Sequence, residues 1–351
     1  MQRFLHHRKR TNESMKKILA FALVALISMS FVFAQGGSET STTSVVSESG
    51  FNTDQVLTFV IPGSTGGGTD LATRTMGEGL QRLYGLKINY QQMKNTIGHT
   101  TVMNAAADGN TIMLATAALL TQYVTGNSEV NPLEDLTLIA CLDDNGYSVL
   151  AVPVDAPFNT FAEFVEYAKA NPGKINAGMP AAGSNTFLFG KLESVLGIEL
   201  NHVECASESD RLTNIAGGFI DIGVVSLGNA QSYEKAGKLK VIGTVAGNGV
   251  TIADSGVALG DNYKTLQEQG YSDCYVLCMH YIYGPKGMNE EQVKRLNASF
   301  KAIIEDATVN EGLRKIGHIP LWHDLEESKK IQMEEYNTTV ETAKFLGLYA
   351  L

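Results

Sequence analysis

Short apolar runs alternate with amphipathic segments of helical length from residue 56 onward in this 351-residue chain. Val56 to Pro62 predicts a buried strand, Asp70 to Tyr84 a helix, and Lys87 to Tyr90 a second strand. A helix over Thr100 to Ala107 and a strand over Thr111 to Ala115 complete a β-α-β-α-β series. Such a series is typical of a parallel sheet covered by helices, so we expect the α/β class.

The same alternation returns after residue 147 and predicts a second lobe. Thr160 and Glu163 form a capping-box pair at the start of a helix that ends at Ala170. We therefore expect two lobes, each a mostly parallel sheet flanked by helices, with lobe 1 formed by residues 55–147 and 274–351 and lobe 2 by residues 148–273. The remaining predicted strands are Ser148 to Pro153, Ile175 to Gly178, Glu199 to Glu204, Ile220 to Val225, Lys240 to Thr244 and Tyr275 to Tyr283, and the remaining helices are Ser184 to Leu196, Arg211 to Ala216, Glu290 to Asp306, a short one near Glu311, and Leu325 to Phe345.

The N-terminus has the pattern of a secretory signal. Lys16 and Lys17 precede an apolar run that ends in small residues at Ala34, which predicts a signal peptide over residues 1–34 with Met15 as the true start. An uncleaved signal anchor is the alternative. Residues 35–54 are rich in Ser, Thr and Gly and predict a flexible linker. No Cys follows the apolar run, so we expect a secreted protein that is not a lipoprotein.

Charge and composition exclude several classes of protein. Hydrophobic residues make up 44% of the chain and charged residues 18%, which favours a folded core over a disordered chain. The single long apolar run argues against a polytopic membrane protein. The net charge of −10 disfavours a nucleic-acid binder. In so acidic a protein, any anion site has to use donors that act at short range.

A glycine-rich loop lies between the first predicted strand and helix. Glycines allow the backbone to approach a ligand closely, and the N-terminus of the next helix supplies free N–H groups and positive partial charge. The known nucleotide-binding glycine motifs do not match the loop. It is either an anion cradle or a plain turn, and Asp70 either caps the helix or binds a ligand amine. The candidate ligand-binding residues here are Ser64, Thr65, Gly66, Gly67, Thr69 and Asp70.

A second loop of the same form precedes the predicted helix of lobe 2 that begins at Ser184. Ser184, Asn185 and Thr186 are candidate ligand-binding residues, and two cradles facing each other across a cleft suit a ligand with a carboxylate at either end. Ser207 and Ser226 follow strands of the second lobe, where open α/β sheets bind ligands. Two independent turns are the alternative.

Patterns for catalysis or metal binding are missing from the sequence. No G-x-S-x-G segment occurs, and the histidines lack ligand spacing, so we expect no enzyme activity, no metal and no cofactor. Asp143 or Asp221 would be the catalytic carboxylate if the chain were instead a secreted enzyme. Leu142 to Gly146 is interpreted as a turn, and the four cysteines (Cys141, Cys205, Cys274, Cys278) as small buried hydrophobic residues.

Seven segments together resemble the extracytoplasmic solute receptors of tripartite tricarboxylate transporters, the TctC/Bug-like family. The resemblance covers about residues 55–350. The segments are Ile61 to Arg74 (V-P-x-x-x-G-G-x-x-D-x-x-x-R), Asp108 to Thr111 (D-G-y-T), Gly183-Ser184 (G-S), Gly217 to Asp221 (G-G-x-v-D), Gly237 to Lys240 (G-K-l-r), Thr265 to Tyr271 (T-l-x-E-x-G-y) and Gly284 to Gly287 (a-P-k-G).

This resemblance implies a type II periplasmic binding fold whose lobes close over a small organic acid. It implies that backbone amides, hydroxyls and water hold the carboxylate, without Arg or Lys, and that the receptor delivers a di- or tricarboxylate to the membrane components of a tripartite transporter. We expect a periplasmic or extracytoplasmic monomer. A ligand sensor for a membrane kinase, which would use the same site, is a further alternative.

Overall fold

Two separate sheets carry the strands of the part of the chain that the structure describes. The structure is a computed structural model that describes residues 48–63, 65–144, 146–180, 183–205, 207–276 and 279–351. The predicted signal peptide, most of the predicted linker, Ser64 and Cys278 lie outside the described residues.

The first sheet, sheet A, is built from strands at both ends of the described chain. Its strands are β1 (Val56–Pro62), β2 (Lys87–Met93), β3 (Thr111–Thr116), β4 (Leu136–Asp144), β10 (Met279–Pro285) and β11 (Ile319–His323). Their order is β11-β4-β10-β3-β1-β2. The β1 strand is parallel to β2 and β3, whereas β10 runs antiparallel to β3 and β4, and β11 antiparallel to β4.

The second sheet, sheet B, uses the middle of the chain. Its strands are β5 (Ser148–Val152), β6 (Asn176–Met179), β7 (Asn201–Glu204), β8 (Ile222–Ser226) and β9 (Lys240–Val245), in the order β7-β6-β8-β5-β9. The β6 strand is parallel to β7 and β8, and β5 is antiparallel to β8 and β9. Both sheets are therefore mixed rather than mostly parallel. In sheet A, β10 runs antiparallel to both of its neighbours, and in sheet B, β5 does.

Helices follow most of the strands, as the alternation predicts. They are α1 (Gly68–Tyr84), α2 (Asn95–Met103), α3 (Ala118–Val124), α4 (Phe161–Ala170), α5 (Ser184–Leu196), α6 (Glu208–Ala216), α7 (Leu227–Lys235), α8 (Glu290–Glu305), α9 (Ala307–Lys315) and α10 (Leu325–Phe345), with 3₁₀ turns at Ile252–Ser255 and Asp261–Tyr263. Within the described part, no helix is both long enough and apolar enough to cross a membrane.

The predicted cap of α4 is confirmed. The Thr160 Oγ1 atom accepts a hydrogen bond from the Glu163 N–H at 3.2 Å, and the Asn159 N–H donates to Glu163 Oε2 at 2.6 Å. The helix ends at Ala170, before Asn171-Pro172-Gly173. Local sequence thus fixes both ends of this helix.

Several predicted elements differ from the structure in their limits, and the helix predicted over Thr100 to Ala107 spans Asn95–Met103. The segment interpreted as a turn, Leu142 to Gly146, begins as strand, because β4 continues to Asp144 in pairing with β10. The strand predicted from Tyr275 begins only at Met279. Pairing between strands far apart in sequence decides both limits, and it overrides the turn preference of Asp and Asn.

Apolar side chains form a core on each sheet. On sheet A the fully buried core includes Phe59, Met76 and Ile282, and on sheet B it includes Phe161 and Phe189. The interpretation of the cysteines as buried residues is confirmed for Cys141, Cys205 and Cys274.

Replacing Phe300 with Ala tests the core of sheet A. Phe300 is 0% exposed and packs edge-on against Phe51, with ring centroids 6.1 Å apart. We expect Phe300→Ala to lower the free energy of unfolding by roughly 3–5 kcal/mol, since it leaves a cavity. Urea denaturation measures the change, with Phe219→Ala as control, because Phe219 is 74% exposed. Equal effects of the two substitutions would contradict this account of the core.

A buried histidine predicts how stability depends on pH. Burial lowers the pKa of His99 from 6.5 to about 4, and its Nδ1 accepts no hydrogen bond within the described structure. The unfolded chain therefore binds a proton at a pH where the folded chain does not, so stability is full above about pH 6.5 and falls as the pH drops toward 4. Denaturation at pH 7 and pH 4 should show that wild type loses roughly 3 kcal/mol more than His99→Leu. Parallel profiles of the two proteins would count against the assignment.

Candidate functional site

A cavity of about 630 Å³ is lined by elements of both sheets. This volume lies within the range of small-molecule sites. Two of the predicted ligand-binding residues, Asn185 and Ser226, line it, together with Gly68 of the glycine-rich loop. Side chains that the sequence analysis did not assign to a site also line it: Glu208, Arg211, Gln231, Arg314, Lys315 and His318. We call this cavity the cleft.

The α1 helix begins at the cleft with open backbone donors. Gly67 is its N-cap, with φ −75° and ψ 166°, and no side chain caps the helix. The N–H groups of Gly68 and Thr69 make no hydrogen bond to any described residue. Gly66, just before the cap, has φ +74°, a conformation that favours glycine. The loop therefore presents main-chain donors without a competing cap.

Asp70 holds this loop in shape. Its Oδ2 accepts a hydrogen bond from the Gly66 N–H at 2.8 Å, and its Oδ1 accepts one from Arg74 Nε at 2.7 Å. Asp70 is 2% exposed, so both oxygens face protein donors. Thr65 Oγ1 donates to Gln92 Oε1, and Gln92 Nε2 donates to the Gly63 carbonyl at 2.9 Å. One predicted cradle donor, the Gly66 N–H, is thus already engaged within the loop.

The α5 helix brings a second N-terminus to the same cleft. Its N-cap is Gly183, again without a side-chain cap, and Asn185 lines the cleft. Ser184 lines a smaller neighbouring cavity with Lys191. The Thr186 hydroxyl is buried and donates to the Pro180 carbonyl at 2.6 Å, so it ties the loop to the helix. Asn185 is the candidate of this segment that lies on the cleft wall.

A third N-terminus, that of α7, is occupied by a side chain. Oε1 of Glu208 accepts hydrogen bonds from the Ser226 N–H at 2.7 Å, from Ser226 Oγ at 2.8 Å and from Asn229 Nδ2 at 2.9 Å. The candidate hydroxyl of Ser226 is therefore bonded to a protein carboxylate. Ser207 forms a capping box with Asp210 at the start of α6, and it does not line the cleft.

Opposite charges meet on this wall of the cleft. Burial alone would raise the pKa of Glu208, but the hydrogen bonds from Asn229 and Ser226, together with the charge of Arg211, lower it below 4.5. Burial lowers the pKa of Arg211, while the charge of Glu208 opposes that shift. Arg211 is 7% exposed and donates from Nε to the Val224 carbonyl at 2.7 Å and from Nη1 to the Cys205 carbonyl at 3.4 Å. Both groups are charged at neutral pH.

Two further cations come from the opposite wall. Arg314 donates from Nη1 to the Asp254 carbonyl at 2.7 Å, and Lys315 Nζ forms an ion pair with Glu311 Oε1 at 2.9 Å. Sequence reasoning missed Arg211, because the pattern of α6 was used only for its apolar face. The available signal was the spacing, because Arg211 lies next to Leu212 and four residues before Ile215 and so shares the apolar face of the helix. All three residues are buried in the structure.

The described residues offer no set of three or more His, Cys, Asp or Glu side chains that could hold a metal ion. What the cleft does provide is two helix N-termini with free N–H groups, a buried guanidinium and one ionised carboxylate. Groups of these kinds are suited to binding a small polar ligand.

Comparisons with solved structures give the fold. The periplasmic binding protein BugD is 23% identical, with a TM-score of 0.63 over 84% of this chain and 98% of BugD. Rpa4515 of R. palustris, solved with adipate, is 20% identical with a TM-score of 0.66, over 84% of this chain and 98% of that one. MatC of Rhodopseudomonas palustris, solved with malate, is 21% identical with a TM-score of 0.60, over 82% of this chain and 98% of MatC. The predicted two-lobed periplasmic binding fold is confirmed.

Comparisons of sequence give the family. A UPF0065 protein of Cupriavidus necator is 26% identical over 83% of this chain and 88% of its own, and one of Bordetella pertussis is 28% identical over 83% and 90%. The family model described as the tripartite tricarboxylate transporter family receptor matches residues 88–348. This chain therefore belongs to the tripartite tricarboxylate transporter receptor family, as a solute-binding receptor of the TctC/Bug type.

Proposed function

We propose that this receptor captures a small organic acid in the cleft and delivers it to the membrane components of a tripartite tricarboxylate-type transporter. The observation that supports this proposal is that the N-termini of α1 and α5 line one cavity through Gly68 and Asn185. The α1 helix follows a strand of sheet A, and α5 follows a strand of sheet B. Helix N-termini bind carboxylates through free N–H groups and positive partial charge.

The open donors fit a ligand carboxylate better than they fit a structural role. Neither α1 nor α5 has a side-chain cap, and α2, α3 and α7 also lack one, whereas α4, α6 and α8 are capped. What distinguishes α1 and α5 is that they begin at the cleft and that, among the described residues, no carboxylate accepts a hydrogen bond from the N–H groups of their first turns. Uncapped N-termini cost stability unless another acceptor completes them. The two neighbours solved with adipate and malate, both dicarboxylates, support the same class of ligand.

The proposal assigns roles to the predicted residues. In the first lobe, Ser64, Thr65, Gly66, Gly67 and Thr69 form or support the loop that meets one carboxylate, and Asp70 fixes its shape. In the second lobe, Ser184, Asn185 and Thr186 supply the facing helix start. Ser226 supports the remaining wall through its hydrogen bonds to Glu208, and Ser207 caps α6, the helix that carries Glu208.

The proposed setting follows the sequence analysis. The receptor is a periplasmic monomer, exported by a signal peptide over residues 1–34 and followed by the predicted linker 35–54, the last part of which belongs to the fold because Phe51 packs against Phe300 in the core of sheet A. Lobe 1 comprises residues 55–147 and 274–351, and lobe 2 comprises residues 148–273. No step of this role requires catalysis or a cofactor.

A ligand screen tests the proposal directly. A bound ligand raises the thermal midpoint by mass action, so mono-, di- and tricarboxylates, amino acids, sugars and phosphate are compared in a thermal-shift assay. We expect at least one carboxylate-bearing compound to raise the midpoint and to give a saturable calorimetric isotherm. Stabilisation by sugars or phosphate alone would overturn the proposal.

Gly67→Val tests whether the α1 loop is the binding element. Gly67 has backbone angles that valine tolerates, so the fold should survive while the added methyl groups crowd the open N–H groups. We expect binding to weaken by about 100-fold or more, measured by calorimetry.

Gly260→Val is the matched control. Gly260 is also an N-cap, with φ −72° and ψ 165°, and it lies outside the cleft lining. The added Cβ would meet Asn262 Oδ1, at the end of an exposed side chain whose Nδ2 donates to Glu234, so this side chain has to shift. This variant should bind like wild type. Unchanged affinity in Gly67→Val would remove the α1 loop from the site.

A further inference from the structure

The carboxylate of Glu208 puts a fixed negative charge into a cleft otherwise suited to anions. All three of its hydrogen bonds reach Oε1, whereas Oε2 accepts none from any described residue. Glu208 lines the cleft, so this oxygen is an acceptor available to a ligand. Asp70, the acidic candidate for binding an amine, has both oxygens bonded to Gly66 and Arg74 and is buried.

Arg211 lies on the same wall, one helical turn beyond Glu208 on α6. Its Nε and Nη1 hold the carbonyls of Val224 and Cys205, and its Nη2 makes no hydrogen bond to any described residue. A guanidinium that is 7% exposed and keeps one nitrogen unengaged is a strong carboxylate donor, because burial reduces screening by water.

The cations on the opposite wall have other partners. Arg314 donates to Asn310 Oδ1 and to the Asp254 carbonyl, and Lys315 pairs with Glu311 at the surface. Neither of them forms an ion pair with Glu208 among the contacts of the described residues. Glu208 Oε2 can therefore accept a hydrogen bond from a donor group of the ligand.

We propose that Glu208 and Arg211 together select a ligand that carries an ammonium group beside a carboxylate, an amino acid, over the same acid without nitrogen. The ammonium donates to Glu208 Oε2, and the carboxylate accepts from Arg211 Nη2 or from the open helix N-termini. This inference rests on the proposed function and names the ligand class of that same site.

The chemistry disfavours a plain diacid at this wall. A second ligand carboxylate near Glu208 Oε2 would face a like charge that is held in place by three hydrogen bonds. An ammonium group turns that repulsion into a charge-assisted hydrogen bond. Discrimination of this kind amounts to roughly 10- to 100-fold in affinity.

Matched ligand pairs test the inference in the full-length protein. Each amino acid is compared with the acid that lacks its amino group, for example aspartate with succinate and glutamate with glutarate, by calorimetry at pH 7. In wild type we expect an amino acid to bind at least tenfold more tightly than its partner acid. In Glu208→Gln the ratio should fall to near one, because the amide keeps the shape but not the charge.

Glu204→Gln is the control, since Glu204 is an exposed carboxylate on β7 that does not line the cleft. It removes the same charge and should keep the wild-type ratio. Arg211→Lys should weaken both members of a pair, because lysine cannot reproduce the planar fork. Thermal midpoints in the absence of ligand show whether each variant is folded.

The outcomes separate this inference from the proposed function. The role of Glu208 is overturned if the affinity ratio of amino acid to partner acid is the same in wild type and Glu208→Gln. It is also overturned if wild type binds the acids without nitrogen more tightly. In both cases the receptor function stands. Either result would mean that Glu208 has only a structural role, through its hydrogen bonds from α6 to Ser226 and Asn229 at the start of α7. If no carboxylate of any kind binds wild type, both proposals fail.

Discussion

Unpaired N–H groups at helix N-termini are the physical feature on which the proposed binding site depends. The chain carries a net charge of −10, so it does not attract an acid from a distance. Three helices, α1, α5 and α7, each follow a strand, β1, β6 and β8, and begin at the cleft. Carboxyl ends of strands and the helices that follow them share one edge of a sheet, so topology brings the open N-termini of α1 and α5 to the cleft, while the N-terminus of α7 is bonded to Glu208.

Much of the fold follows from local sequence, and the rest depends on pairing across the chain. The helix Ser184–Leu196 and the helix Leu325–Phe345 have the predicted limits, because their apolar periodicity and end residues agree. The strand β11 was missed, since Ile319–His323 contains a proline and lies at a sheet edge, where proline is tolerated. Its place beside β4 rests on pairs such as Trp322 with Leu142, 180 positions apart in the chain, which no local pattern encodes.

The site divides in the same way. A glycine-rich loop between a strand and a helix is a local signal, and it pointed to the right loop; of its described residues Gly68, which was not a candidate, lines the cleft, whereas Thr65, Gly66, Gly67, Thr69 and Asp70 do not. Glu208 reaches Ser226 across 18 residues, and Arg211 reaches the Val224 carbonyl across 13. These contacts exist because α6 packs against β8, so they become visible only once the sheet is assembled. Sequence reasoning therefore indicated the two loops that reach the cleft and missed the charged pair.

The cleft walls are also held by contacts that do not involve a ligand. Val124 of α3, Phe187 of α5 and Ala343 of α10 form a small buried apolar cluster that joins elements of both sheets. Arg314 of α9 reaches the Asp254 carbonyl in the 3₁₀ turn that follows sheet B. Because these contacts already fix the position of α5 and of the basic wall, a ligand has less ordering entropy to offset when it binds. The position of each charge on such a wall therefore affects which ligands bind. The Glu208 carboxylate, held by three hydrogen bonds, cannot move away from a ligand of like charge without breaking them.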